Sequence, residues 1–195
     1  MIILGLTGSI GMGKSTAAGM FARMGLRVHD ADRAVHRLME RGGEAVDAVA
    51  NQFPGVVHDG VVDRKALGAE VFGNPPALKA LEAILHPRVR RAEERFLRIA
   101  RGQGCRVVVL DIPLLFESGR SGRCDYSIVV TAPKFVQTRR VLARPGMTME
   151  RLQTIRAKQM GEAEKRRRAD FVVPTSLGRA DTWRRLTAIL DRVTT

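Results

Sequence analysis

The sequence predicts an α/β fold in which a five-stranded parallel sheet is flanked by helices, and three observations carry that prediction. Five short β-branched runs, residues 2–6, 26–29, 106–110, 126–130 and 170–173, are separated by segments of helical pattern. Three of these runs contain continuously apolar stretches, Ile3-Leu4, Val107 to Leu110 and Ile128 to Val130, as suits strands covered on both faces. The 195 residues, 45% hydrophobic and 27% charged, suffice for one compact core with appendages and exclude a disordered or fibrous chain.

The elements follow in order. After the first strand, Ala17, Met20, Phe21 and Met24 recur at helical spacing until Gly25 stops the helix. Between the second and third strands lie roughly seventy-five residues, several times the usual crossover, so this stretch carries structure of its own, a helical insertion over 31–103. Within it Pro54-Gly55 and Asp59-Gly60 mark turns, Asp63 caps a helix over 64–72, and Asn74-Pro75-Pro76 breaks the chain before the next helix. A longer helix is expected after Pro87, with Val89, Ala92, Phe96 and Ile99 on one face. A second appendage over 137–168 follows the fourth strand, helical by pattern, interrupted at Pro145-Gly146 and restarted at Thr148 as N-cap of a helix over 149–160. The remaining segments, 1–30, 104–136 and 169–195, form the core. In the last of them Trp183, Leu186, Leu190 and Val193 make a helical stripe, and Trp183 is read as core rather than as a base-stacking platform.

Charge narrows the partners. Thirty-three Lys and Arg against 20 Asp and Glu leave a net charge of +13, which attracts polyanions, and only six of the bases are lysine. Residues 137–168 alone hold ten Lys or Arg against three Glu, the profile of a basic lid. The apolar runs are too short to span a bilayer. Two cysteines and four scattered histidines form neither a disulfide framework nor a metal-ligand spacing, which fits a reducing cytoplasm.

The chemistry is concentrated after the first strand. Gly8-Ser9-Ile10-Gly11-Met12-Gly13-Lys14-Ser15 satisfies G-x-x-x-x-G-K-[ST] between an apolar strand and an amphipathic helix. Its glycines let successive N–H groups turn inward around a phosphate, and the helix N-terminus adds partial positive charge. Gly11, Met12, Gly13, Lys14, Ser15 and Thr16 are therefore expected to hold a nucleoside triphosphate: Lys14 at the β and γ phosphates, the Ser15 hydroxyl on Mg²⁺, Thr16 near the α phosphate. Asp30-Ala31-Asp32 follows the second strand, at the carboxyl end of the sheet where ligands collect, and a carboxylate there can aim an attacking hydroxyl while the other caps a helix. Asp111, ending the third strand, has the position of an acid that holds Mg²⁺ directly or through water. Arg139, Arg140, Arg144 and Arg156 are candidates to stabilise charge on the transferring phosphoryl, whereas most of Lys165-Arg166-Arg167-Arg168 is read as solvated.

On these residues the chain resembles the dephospho-coenzyme A kinase family, nearly end to end. Beyond the phosphate loop the likeness includes Asp30-Ala31-Asp32, Gly60 with Asp63-Arg64 and Leu67, and His86-Pro87. It continues with Asp111 and Pro113-Leu114-Leu115-Phe116-Glu117, then Gln137, Arg140, Arg144, Gln159 and Ala169-Asp170. The resemblance implies a P-loop kinase core, a helical acceptor-binding domain in the first insertion and a lid in the second. It further implies ATP with Mg²⁺ as cofactors and dephospho-CoA as the small-molecule substrate, phosphorylated on its ribose 3′-hydroxyl in the last step of CoA synthesis. By the same carry-over Asp32 is the catalytic carboxylate, acting with Lys14 and the lid arginine Arg140. His86, Pro87, Leu114, Leu115 and Glu117 are acceptor-site elements. Thr175, in Pro174-Thr175-Ser176, stands where family members usually have Asn near the nucleotide base, and Ser9 where they often have Gly.

The expected protein is thus a cytoplasmic, monomeric kinase with no nucleic-acid or membrane partner. Another P-loop nucleoside or nucleotide kinase shares the loop and lid, and a non-catalytic nucleotide sensor would bind ATP and transfer nothing. A nucleic-acid-binding NTPase would use the positive charge, but 5% aromatic residues leave little for a stacking surface.

Overall fold

The computed structural model describes residues 1–195, the side chain of Arg120 excepted. The chain begins β1 (Ile2–Thr7), α1 (Lys14–Arg23), β2 (Arg27–Asp30) and α2 (Ala31–Met39). It continues through α3 (Val46–Gln52), the short strands β3 (Val57–His58) and β4 (Val61–Val62), α4 (Arg64–Val71) and α5 (Pro75–Gly102). After β5 (Val107–Asp111) and β6 (Tyr126–Thr131) come α6 (Lys134–Leu142), α7 (Met149–Lys158), α8 (Glu162–Arg168), β7 (Phe171–Pro174) and α9 (Arg179–Thr194). Two compact units result: Met1–His29 with Ala100–Thr195, and Asp30–Ile99.

The first unit is built on a five-stranded sheet of order β2-β5-β1-β6-β7. β1 lies parallel to β5, with Ile2 opposite Val107 and Leu6 opposite Asp111, and parallel to β6; β7 runs parallel to β6 on its outer side. The continuous apolar runs are the sheet's central strands, and Leu4, Leu6, Val108, Val109, Ile128, Val129 and Val130 are all fully buried. Ala17, Met20 and Phe21 of α1 join Leu186, Ile189 and Val193 of α9 in the same core. Of the predicted α9 stripe Leu186 and Val193 are buried as expected, while Ile189 is buried with Leu190 only partly so. Thr182 is buried in place of Trp183, whose indole stays partly exposed beneath the Arg23 guanidinium, 5.5 Å from the ring centroid. The cation and the aromatic face stabilise each other there without full burial.

The second unit has its own core, from Leu38 and Met39 of α2 through Val49, Phe53, Val56 and Val62 to Leu67 and Val89. Asp63 caps α4 as expected, accepting from the amides of Lys65 and Ala66 at 2.8 and 3.1 Å. The amides of Ala66 and Lys65 hold its carboxyl below the usual carboxylate range. The Asp59-Gly60 turn turns out to be the bend of a hairpin pairing β3 with β4, with both turn residues at positive φ (50° and 75°). That is the conformation a two-residue hairpin loop requires.

The predicted helix after Pro87 is instead the second part of α5, which runs through the proline. A proline inside a helix costs a backbone hydrogen bond. Beside it the Arg88 guanidinium donates to the Ile84 carbonyl at 2.7 Å and to the Glu44 carbonyl at 2.8 Å, tying this part of α5 to the chain before α3. Thr148 caps α7 through the Arg151 amide, but α7 ends at Lys158, because Gln159 turns extended.

Candidate active site

The loop between β1 and α1 is held from outside. Gly8 faces β6 so closely that a Cβ there would lie 2.5 Å from Val130 Cγ2, so no larger residue fits without displacing that strand. Gly13 caps α1 at φ 90°, a left-handed conformation open to glycine. Three side chains then draw the loop's carbonyls outward. Gln137 Nε2 donates to the Ile10 carbonyl at 2.8 Å, Arg140 Nη1 to the Gly11 carbonyl at 3.5 Å, and Thr175 Oγ1 to the Met12 carbonyl at 2.8 Å. With the carbonyls so engaged, the opposite side of the loop presents amides. In α1 the first residue to find a backbone acceptor is Ala17, on Gly13, which leaves the amides of Lys14, Ser15 and Thr16 to a ligand, while the Ile10 and Met12 amides are taken by Gln159 and the Ser9 carbonyl.

Lys14 and Asp111 meet at the mouth of this loop, Nζ to Oδ1 at 2.6 Å, with Asp111 almost wholly buried at the end of β5. Ser15 and Thr16 are exposed on the first turn of α1. Thr16, Gly11 and Gly13 border a cavity of about 420 Å³ that is closed on its other sides by Arg140, Arg144 and Thr175. Arg140 is fixed in this wall by two hydrogen bonds to one residue, Nη1 donating to Thr175 Oγ1 at 2.9 Å and Nη2 to the Thr175 carbonyl at 2.8 Å. Arg156 is held away from the cavity, its guanidinium on Gln137 Oε1 and Thr138 Oγ1.

In the second unit, Asp30 turns out to be the helix cap of the Asp-Ala-Asp pair, accepting from the Arg33 amide at 2.9 Å. Asp32 stands exposed in the first turn of α2, and His86 and Pro87 are exposed on α5. The Leu114 to Glu117 stretch divides. Leu114 is exposed, whereas Leu115 is fully buried, 3.0 Å from where a Cβ on Gly5 would stand, so its side chain packs the core and offers a ligand nothing.

One oxygen of Glu117 is taken, while its Oε2 is buried without a hydrogen-bond partner among the described residues. Its Oε1 accepts from the Met160 amide at 2.9 Å and pairs with Lys165 Nζ at 2.8 Å. Lys165 is 0% exposed, whereas the three arginines after it are exposed, so most of the basic run is solvated as expected and its first residue is the exception. Burial would raise the Glu117 carboxyl, yet the hydrogen bonds from Lys165 and the Met160 amide bring it below the usual carboxylate range. Glu162 moves the other way: burial pushes it up, against the opposing charges of Lys165 and Arg166 and a long hydrogen bond from Ser9. Gln159 was visible only as part of the family pattern; here its Oε1 accepts from the Ile10 amide at 3.3 Å.

A phosphate-binding loop, an acid at its mouth and basic helices around it are common to many nucleotide enzymes, so the whole sequence decides the family. The family model described as dephospho-CoA kinase matches residues 2–181. The chain belongs to the dephospho-CoA kinase family. A dephospho-CoA kinase of Mesorhizobium japonicum is 56% identical over 99% of this chain and 97% of its own. One from Paramagnetospirillum magneticum is 63% identical over 85% of this chain and 78% of its own. A crystal structure of a Thermus thermophilus protein, 39% identical, superposes over 100% of this chain and 98% of its own with a TM-score of 0.87. Dephospho-CoA kinases are transferases that phosphorylate dephospho-CoA to coenzyme A, and the P-loop described above is the fold's device for the ATP that supplies the phosphoryl group. No helix is long and apolar enough to cross a membrane among the described residues.

Proposed function

We propose that this chain carries out the reaction of its family by in-line transfer of the γ-phosphoryl of ATP to the ribose 3′-hydroxyl of dephospho-CoA, with Asp32 orienting that hydroxyl and Lys14 neutralising the moving charge. The observation that carries this reading is the loop of Gly8 to Ser15, whose carbonyls are tied outward by Gln137, Arg140 and Thr175 beside the Lys14–Asp111 pair. Such a loop is preorganised, so no reorganisation is needed at the moment of reaction. Because the phosphoryl transition state is loose, positioning and charge neutralisation matter more than full deprotonation of the alcohol.

The residues present suit Mg²⁺. A buried carboxylate at the end of β5 and a hydroxyl on the first turn of α1 are hard oxygen donors, and Mg²⁺ usually takes one or two protein groups with phosphate and water completing its shell. Asp111 and Ser15 would hold it, and it would supply positive charge to offset that of the transferring phosphoryl group. Lys14 exchanges Asp111 for the phosphates when nucleotide binds.

The cavity beside Thr16 takes the nucleoside end of ATP. Thr175 has its hydroxyl committed to Met12 and Arg140, so base recognition falls to backbone groups, and Arg140 serves as the wall of the nucleotide site. The segment 137–168 is the lid, with Arg139 and Arg144 as its cations and Arg156 bracing it on Gln137 and Thr138, and 31–103 is the acceptor-binding domain, using His86 and Pro87. The protein is read as a cytoplasmic monomer.

The test of the catalytic assignment is Asp32→Ala. Turnover with dephospho-CoA should fall by two to three orders of magnitude or so, the scale of a lost positioning or acid–base group, while ATP affinity stays near that of the parent. Equal loss of ATP binding would remove Asp32 from the role. A panel of nucleoside, nucleotide and dephospho-CoA acceptors with labelled ATP separates this reading from other P-loop kinases. Tight, steeply salt-dependent binding to DNA or RNA would favour an NTPase of the other class.

A further inference from the structure

The α7–α8 turn, residues 159–162, touches the phosphate-loop strand-end at two points. Gln159 Oε1 takes the Ile10 amide proton at 3.3 Å, and Glu162 Oε2 takes the Ser9 hydroxyl at 3.5 Å. Neither bond is short, so what keeps the turn in place must lie elsewhere. It lies one residue on from Gln159, where the Met160 amide donates to Glu117 Oε1 at 2.9 Å, and Lys165 reaches the same oxygen from α8 at 2.8 Å. The Glu117 side chain is 16% exposed and that of Lys165 is 0% exposed. A lysine sealed from water is costly unless paired, and α8 carries three arginines after it that would serve as well on the surface. The pair spans three pieces of chain: the loop after β5, the α7–α8 turn and α8 itself.

We infer that the Glu117–Lys165 pair is a latch that positions the Gln159–Glu162 turn on Ser9 and Ile10, so that Glu117 and Lys165 are positioning residues for the nucleotide rather than contacts to the acceptor. Ile10 then has both backbone groups taken by side chains, its carbonyl by Gln137 and its amide by Gln159. That sets the direction in which the chain enters Gly11 and the phosphate-binding amides. This inference rests on the nucleotide site assigned above and not on the identity of the acceptor.

Removing one partner of a buried pair destabilises strongly, whereas replacing both by apolar groups of similar volume is often neutral. Lys165→Met alone is therefore expected to melt earlier, and the double variant Glu117→Leu/Lys165→Met to recover the parent's melting temperature. In the recovered double variant, positioning predicts that KM for ATP and the Kd for a fluorescent ADP analogue stay raised about tenfold, while KM for dephospho-CoA is unchanged. Full return of nucleotide affinity with stability would show a purely structural pair and overturn the inference. So would a variant Glu117→Gln that raises KM for dephospho-CoA alone, since that is the signature of an acceptor contact. The ADP titration needs no acceptor, so it reports on the latch even if the parent protein failed to phosphorylate dephospho-CoA, an outcome that would count against the proposed reaction only.

Discussion

Two lysine–carboxylate pairs in the first unit are nearly the same length and differ in everything else. Lys14 and Asp111 meet at 2.6 Å with the lysine side chain 16% exposed; Lys165 and Glu117 meet at 2.8 Å with the lysine sealed. The first lysine follows a glycine-rich turn and opens a helix whose early amides lack partners. The second sits mid-helix behind a carboxylate that also holds a backbone amide. One pair is therefore a placeholder that a triphosphate can displace, and the other is a fixture whose lysine is sealed from any ligand. Distance alone would not distinguish them; access and the remaining hydrogen bonds do.

Breaking the first pair should have the largest effect. Lys14→Met is expected to lower kcat by about a thousandfold, the scale of losing a main stabiliser of transition-state charge, measured by transfer from labelled ATP with a thermal scan beside it. A variant that instead melted early and kept its turnover would erase the contrast between the two lysines. Asp111→Asn sharpens the contrast from the acid side. It should raise the Mg²⁺ concentration needed for half-maximal rate by about 10- to 100-fold, as for weakened metal sites generally, with the nucleotide still bound in the absence of the ion.

Besides its effect on nucleotide affinity, the sealed pair should show itself in acid. A carboxyl whose pKa is lower in the folded chain than in the unfolded one stabilises the fold above its ordinary value, and that stabilisation is lost as pH falls through the folded pKa. Glu117 is such a group, so the parent should lose part of its stability below the ordinary glutamate range. In Glu117→Gln the curve of unfolding midpoint against pH should be flatter there. Glu162, held above its ordinary value by burial, acts with the opposite sign: its ionisation costs stability as pH rises through its folded pKa. Glu162→Gln should therefore relieve a small destabilisation near neutral pH, the least of these effects, seen as a slightly higher melting temperature.

Much of the fold was legible because its signals are local. Continuous apolar runs marked the central strands, the G-x-x-x-x-G-K-S spacing marked the loop, and Asp63 and Thr148 marked two helix starts. The hairpin at Asp59-Gly60 could have been read as well, since Val56-Val57 and Val61-Val62 flank a dipeptide that favours a tight two-residue turn. Other features depend on partners distant in sequence. Nothing in Glu-Ala-Glu-Lys-Arg-Arg-Arg reveals that the lysine alone goes inside, because its partner Glu117 lies beyond α6 and α7. Pro87 reads as a break, yet α5 runs through it, held along its length by core contacts such as that of Val89 that lie far away in sequence. Trp183 was misplaced by one position because Thr182, a polar residue with its hydroxyl satisfied on the Gly178 carbonyl, takes the buried place.

The most direct test of the proposed chemistry is a single incubation of the full chain with ATP, Mg²⁺ and dephospho-CoA, followed by the mass of the acceptor. Gain of one phosphate on the ribose 3′-hydroxyl, absent when Asp32→Ala replaces the parent, is the result this account predicts. ATP consumed with the acceptor mass unchanged would contradict it.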